Sequence, residues 1–148
     1  MKLVFVKGKG KYDRMEVHRA DGAVETIACP KQRIIPHDMV HFVVESILRK
    51  RGFLTRVREG EAAHLRMAPE QESDSVERLV EVFQGDAWSG SGTDYNGMID
   101  LYRVTCDARQ CPMLDIDAAT LDEVRLRMAE LTSKWNALAI GASLELEL

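Results

Sequence analysis

Two rhythms of apolar residues run along this chain. Near both ends they form strand-like runs, and through the middle they return at three- and four-residue steps, the period of a helix with one buried face. Lys2 to Lys7 reads as a short strand rich in Leu, Val and Phe. Asp13 to Ala20 and Ala23 to Cys29 flank Asp21-Gly22, a dipeptide that tolerates positive φ and so predicts a two-residue type I′ hairpin. That turn sets Met15 opposite Ala28, Val17 opposite Thr26 and Arg19 opposite Val24 on one face, with His18 against Glu25 on the other. Leu144, Leu146 and Leu148 alternate with Glu145 and Glu147, which predicts a half-buried antiparallel strand.

The helical stretches begin at Pro36, whose fixed φ suits a first helical position. Met39, Val40, Val43, Val44, Ile47 and Leu48 then build one broad apolar face, Asp38 meets the positive end of the dipole, and Gly52 serves as a left-handed terminator. Glu45 can pair with Arg49 at i,i+4. Residues 53–67 predict a turn and a short helix around Glu61 to Met67, halted by Pro69. Asp74-Ser75-Val76-Glu77 has the form of a capping box, with Asp74 as cap and Glu77 reaching back. Val76, Leu79, Val80 and Phe83 continue that helix to Gly85.

Asp86 to Thr93 predicts a loop, polar apart from Trp88, and Thr93 a cap for the helix carrying Tyr95, Met98, Ile99, Tyr102 and Cys106. Gly97 within that helix implies a close approach to its backbone. Asp117 caps the last helix, where Leu121, Val124, Met128, Leu131, Trp135 and Leu138 form a lengthwise seam. That seam is either internal packing or the contact of a homodimer.

Strands first, about five helical segments next and a closing strand last predict an α+β fold. We expect one domain over residues 1–148, with a small, largely antiparallel sheet and the C-terminal strand beside Lys2 to Lys7. A net charge of −4, from 20 basic and 24 acidic residues, argues against a general nucleic-acid binder. No run is long and apolar enough to span a membrane, and an odd count of three cysteines with no export signal points to reduced thiols in the cytoplasm. Cys106-x4-Cys111 fits neither a CxxC pair nor a zinc knuckle, and a redox-sensing role would need an exposed thiolate of lowered pKa. Gly8-Lys9-Gly10-Lys11 leads into a strand, so it is a basic hairpin loop and not a phosphate cradle.

The chemistry concentrates on the first long helix. His37, His41 and Glu45 stand at i, i+4 and i+8, drifting about 40° per step along one row. Two histidines four apart can bind one divalent ion, zinc or another transition metal, and His37-Asp38-x-x-His41 is similar to the HExxH of zinc metallopeptidases with aspartate in place of the glutamate base. Aspartate is one methylene shorter and would hold an attacking water elsewhere. The tentative ligand set is His37, His41 and Glu45, with Asp38 the catalytic base only if metal is bound, and His18 or His64 as alternative third ligands. Structural roles, with both histidines bonded in the core, compete with this reading.

The segment IPHDMVHFVVES, followed by a Gly-Phe step and later by VEVFQGDAW and CPM, resembles one shared by small bacterial proteins of unknown function. The resemblance implies a single-domain cytoplasmic bacterial protein and brings no activity with it. The favoured function is a non-enzymatic binding or regulatory domain for a protein or small molecule. The alternative is a metal-dependent hydrolase built on His37, Asp38 and His41.

Overall fold

A computed structural model describes residues 1–148. The fold is α+β: a four-stranded antiparallel sheet with five helices packed against it. In chain order, β1 (Lys2–Val6), β2 (Tyr12–His18) and β3 (Val24–Pro30) form a meander. The helices α1 (His37–Leu48), α2 (Phe53–Arg58), α3 (Gln71–Trp88), α4 (Tyr95–Arg109) and α5 (Ala118–Ala137) follow, and β4 (Ser143–Glu147) returns to lie against β1, giving the order β3-β2-β1-β4. Met1 and Leu148 are neighbours, as the placement of the last strand requires.

Alternation divides the sheet. Leu3, Phe5, Met15, Val17 and Leu146 are buried on one face, while Lys2, Arg14, Glu16, His18 and Glu145 lie on the other. The buried face and the helices share one continuous core. Within it α1 packs against α2, α3 and α5, and α3 against α4. The α5 seam of Leu121, Val124, Met128, Leu131 and Trp135 is buried in this core, so the stripe considered as a homodimer contact is already covered by the chain itself.

Several local expectations are corrected. The hairpin turn has three residues, not two: Gly22 N–H donates to Arg19 O, and Gly22 takes φ +89°. This is the longer loop with glycine in the left-handed position. The register shifts by one, pairing Met15 with Ile27, Val17 with Glu25 and His18 with Val24. A one-residue slip exchanges the faces of a strand. Glu25 therefore shares the inner side with Val17, and His18 meets Glu16 of its own strand at 3.0 Å.

Residues 61–67 are not helical, because side chains claim their backbone: Arg19 donates to Glu61 O, and Ala63 N–H donates to Glu25. The expected capping box is absent, since α3 starts at Gln71 after Glu70, with no side-chain cap, and runs through Gly85 to Trp88. Asp94 rather than Thr93 caps α4, accepting from Gly97 N at 2.7 Å. A Cβ on Gly97 would stand 2.9 Å from that cap oxygen, which accounts for the glycine. The left-handed residue ending α1 is Arg49 and not Gly52, and Glu45 pairs not with Arg49 but with His41 and the backbone N–H groups of Gly52, Leu54 and Thr55.

Candidate metal centre

The core face of α1 is filled by Met39, Val40, Val43 and Val44. This anchoring carries His41, one turn inside the helix, to 1% exposure, while His37 at the first helical position keeps its ring about one-third open. Opposite stands α3, held by Val76, Leu79, Val80 and Phe83. Glu77 and Gln84, seven residues apart, lie on one face of that helix two turns apart. Both reach across to α1.

Glu77 bridges the two imidazoles. Its Oε2 lies 2.6 Å from His41 Nε2 and its Oε1 3.3 Å from His37 Nε2. Behind the rings the other nitrogens are held as well: His37 Nδ1 lies 2.5 Å from Gln84 Oε1, and His41 Nδ1 lies 2.9 Å from Glu45 Oε2. Gln84 is oriented in turn, because its Nε2 donates to Gln32 Oε1 at 3.0 Å. Facing oxygens that accept, each Nδ1 donates, and both Nε2 atoms point to the carboxylate of Glu77, which accepts as well. The rings sit edge to face with centroids 4.8 Å apart, and Phe53 packs its edge against His41. One ligand atom from each of His37, His41 and Glu77 lies within 4.8 Å of the others.

Glu45, taken from the sequence as the third ligand, is not in this group. Its carboxylate is sealed in the core, where it orients His41 and accepts from the backbone N–H groups of Gly52, Leu54 and Thr55 at 3.2, 3.1 and 2.8 Å. Four donors occupy both oxygens. It holds His41 from behind, the position that outer carboxylates take in metal sites. The fit is close: a Cβ on Gly52 would come within 2.6 Å of Glu45 Cδ and of Val76 Cγ1.

Asp38, the conditional base, also faces elsewhere. Its Oδ2 receives the thiol of Cys29 at 3.8 Å, and it stands outside the His37–His41–Glu77 group. His18 and His64 lie elsewhere, on Glu16 and Glu25.

The charges follow from this packing. Burial disfavours the charged form of His41, yet the hydrogen bonds it donates to Glu45 and Glu77 override this and raise its pKa to about 10. His37 shifts upward too, burial being outweighed by Glu77 with help from Gln84. Glu77 moves the other way: burial opposes it, but the two imidazoles hold it well below the ordinary carboxylate range. Burial raises Asp38. A divalent ion entering here would displace the Nε2 protons and gain two imidazoles and a carboxylate. That donor set is shared by catalytic zinc sites and by non-haem iron sites with open positions.

The remaining candidates separate from this centre. Burial pushes the thiols of Cys29 and Cys106 up to about 12, the reverse of what a redox-sensing thiolate needs. Trp88 is half exposed and ends α3 instead of sitting in a loop, its Nε1 donating to Gln32 O at 2.7 Å. Glu77 escaped the sequence reading because the capping-box pattern gave it another task, and no local signal marks Gln84.

No family model matches this chain, and neither the curated proteins nor the solved structures contain a match. No helix is long and apolar enough to cross a membrane.

Proposed function

We propose that this protein is a metal-dependent binding domain. A divalent transition ion, zinc in the first instance, is held by His37 Nε2, His41 Nε2 and Glu77, and the side where His37 and Glu77 are part-exposed admits a further ligand. The observation that carries this reading is the fixing of both Nδ1 atoms by acceptors behind them, on Gln84 and Glu45. It leaves the two Nε2 atoms converging on one carboxylate at the part-exposed end of the cluster.

A metal-dependent hydrolase is the second reading, favoured by the same open side, where a bound water of lowered pKa would lie. It requires a base other than Asp38, whose carboxylate is turned to Cys29. The regulatory or binding reading needs no such group, and we place it first, in a cytoplasmic bacterial setting.

Elemental analysis of protein purified without a histidine tag tests the proposal. Near-stoichiometric zinc, manganese or iron, lost in folded His37→Ala and His41→Ala variants, is the expected result. Metal-free protein that also takes up none of these ions on dialysis would refute it.

A further inference from the structure

Beside the metal centre lies a cavity of about 430 Å3 whose lining contains four arginines, on a chain of net charge −4. It opens between the loop ahead of α3, the first turns of α3 and the end of α4, and Glu77 forms part of its wall. Arg56 is committed, binding Glu61 and the carbonyl of Ala68. Arg66 and Arg109 stand exposed at the rim with no carboxylate partner.

Arg78 is different. Its side chain is 11% exposed, one terminal nitrogen donates to Glu81, and its Nε is the one buried side-chain nitrogen or oxygen in the molecule without a hydrogen-bond partner. A buried donor of a charged group left unpaired is costly, and Arg78 lines this cavity, so an acceptor brought from outside to its guanidinium would offset that cost.

Of the two acids in the wall, Asp74 offsets one guanidinium group, Glu77 is already shared with both imidazoles, and an ion bound there would add two further positive charges. Three guanidinium groups and a metal ion offer more positive charge and more donors than a single carboxylate can use, whereas a phosphoryl group has three terminal oxygens for them. The volume suits a small molecule.

We infer that the cavity receives the phosphoryl group of a small phosphorylated compound. One oxygen binds the ion on His37, His41 and Glu77, and the others bind Arg78, with Arg66 and Arg109 at the entrance. This rests on the metal-binding reading above and adds the class of ligand to it.

The test uses the full chain loaded with cobalt(II), titrated with inorganic phosphate and with phenyl phosphate, and read by the visible cobalt spectrum and by calorimetry. The expected result is a spectral change on adding phosphate or its ester, with affinity lower by about tenfold or more in Arg78→Gln and lower again in an Arg66→Ala, Arg109→Ala double variant. Cobalt affinity should be retained in these variants. The double variant carries the test if Arg78→Gln does not fold, because both its sites are exposed. Response to phenyl phosphate separates esters from free phosphate, and either supports the phosphoryl site.

Cobalt binding with no response to either probe overturns this inference and leaves the metal reading standing. Absence of cobalt binding removes both. Phosphate bound equally well by His37→Ala, or no better than acetate, also overturns it, because the phosphoryl group would then not be shared with the ion.

Discussion

Glu25 and Glu77 each meet histidine, but only Glu77 belongs to a group of three side chains whose ligand atoms lie within 4.8 Å of one another. On the hairpin side Glu25 accepts from Arg19, from Ala63 N–H and from His64 Nδ1, which is exposed. Arg19 also reaches the carbonyls of Val57 and Glu61, so the cluster ties the segment after α2 to the sheet. On the α1 side the same residue types are sorted differently. Glu45 takes the backbone donors, and Glu77 touches only imidazoles. A carboxylate saturated by backbone N–H groups is a clamp, whereas one met only by nitrogens that can release protons is available to a metal.

The sharpest way to break this contrast is to remove the buried clamp. Glu45→Ala leaves His41 Nδ1 and three backbone donors unpaired in the core, and we expect a loss of about 3–5 kcal/mol in urea denaturation of the metal-free protein. Wild-type stability in that variant would mean that Glu45 is not structural. Next in size is Gly52→Ala, whose new methyl collides with Glu45 and Val76, for which we expect about 1–3 kcal/mol by the same measurement.

Gln84→Ala sharpens the other half of the comparison. It removes the acceptor behind His37, and zinc affinity measured by competition with a chelator should fall about 10–100-fold while the fold persists. Unchanged affinity would leave Gln84 a bystander.

The two clusters should also differ in their response to pH. His41 has its pKa raised, so in the metal-free protein its contribution is full below the ordinary histidine value of about 6.5. That contribution is lost as pH climbs toward about 10. Glu77 and Glu25 are lowered carboxylates, so their contributions are present above about 4.5 and are lost on acidification. For Glu25, hydrogen bonds from His64 and Arg19 set the lower limit near about 2. Saturating zinc should reverse the alkaline slope, because binding releases the Nε2 protons and strengthens as pH rises. Thermal melts from pH 5 to 9 with and without zinc check this, and parallel slopes would contradict the assignment. The smallest effect belongs to Glu25→Gln, about 1 kcal/mol of stability, with zinc affinity untouched.

Much of the fold was legible because its signals are local. The apolar face of α1, the alternation of β4 and the Asp117 cap each depend on near neighbours, and together they define the α+β arrangement and the placement of β4 beside β1. The hairpin register was missed by one residue because Asp21-Gly22 suits both a two-residue and a three-residue loop with glycine at positive φ, and the difference lies in Asp21, which does not take the positive φ of a type I′ turn.

Of the candidate site, the histidine pair could be read from its spacing. The carboxylate could not. Glu45 shares the row of His37 and His41, but its depth directs it to the backbone of residues 52–55, and the acid that meets both rings lies 36 residues from His41 on a helix brought close only by packing. Asp38 drew attention by its place in the motif, yet one residue along a helix turns a side chain by about 100°, away from its neighbours' row.

The most direct measurement of the central claim is cobalt(II) titration of the wild-type chain beside Glu77→Gln and Glu25→Gln, each checked for native circular dichroism. One equivalent bound by wild type and by Glu25→Gln, with the visible bands lost in folded Glu77→Gln, is the predicted outcome. Bands that survive in Glu77→Gln, or that never appear in the wild type, would contradict the assignment of His37, His41 and Glu77 as a metal centre.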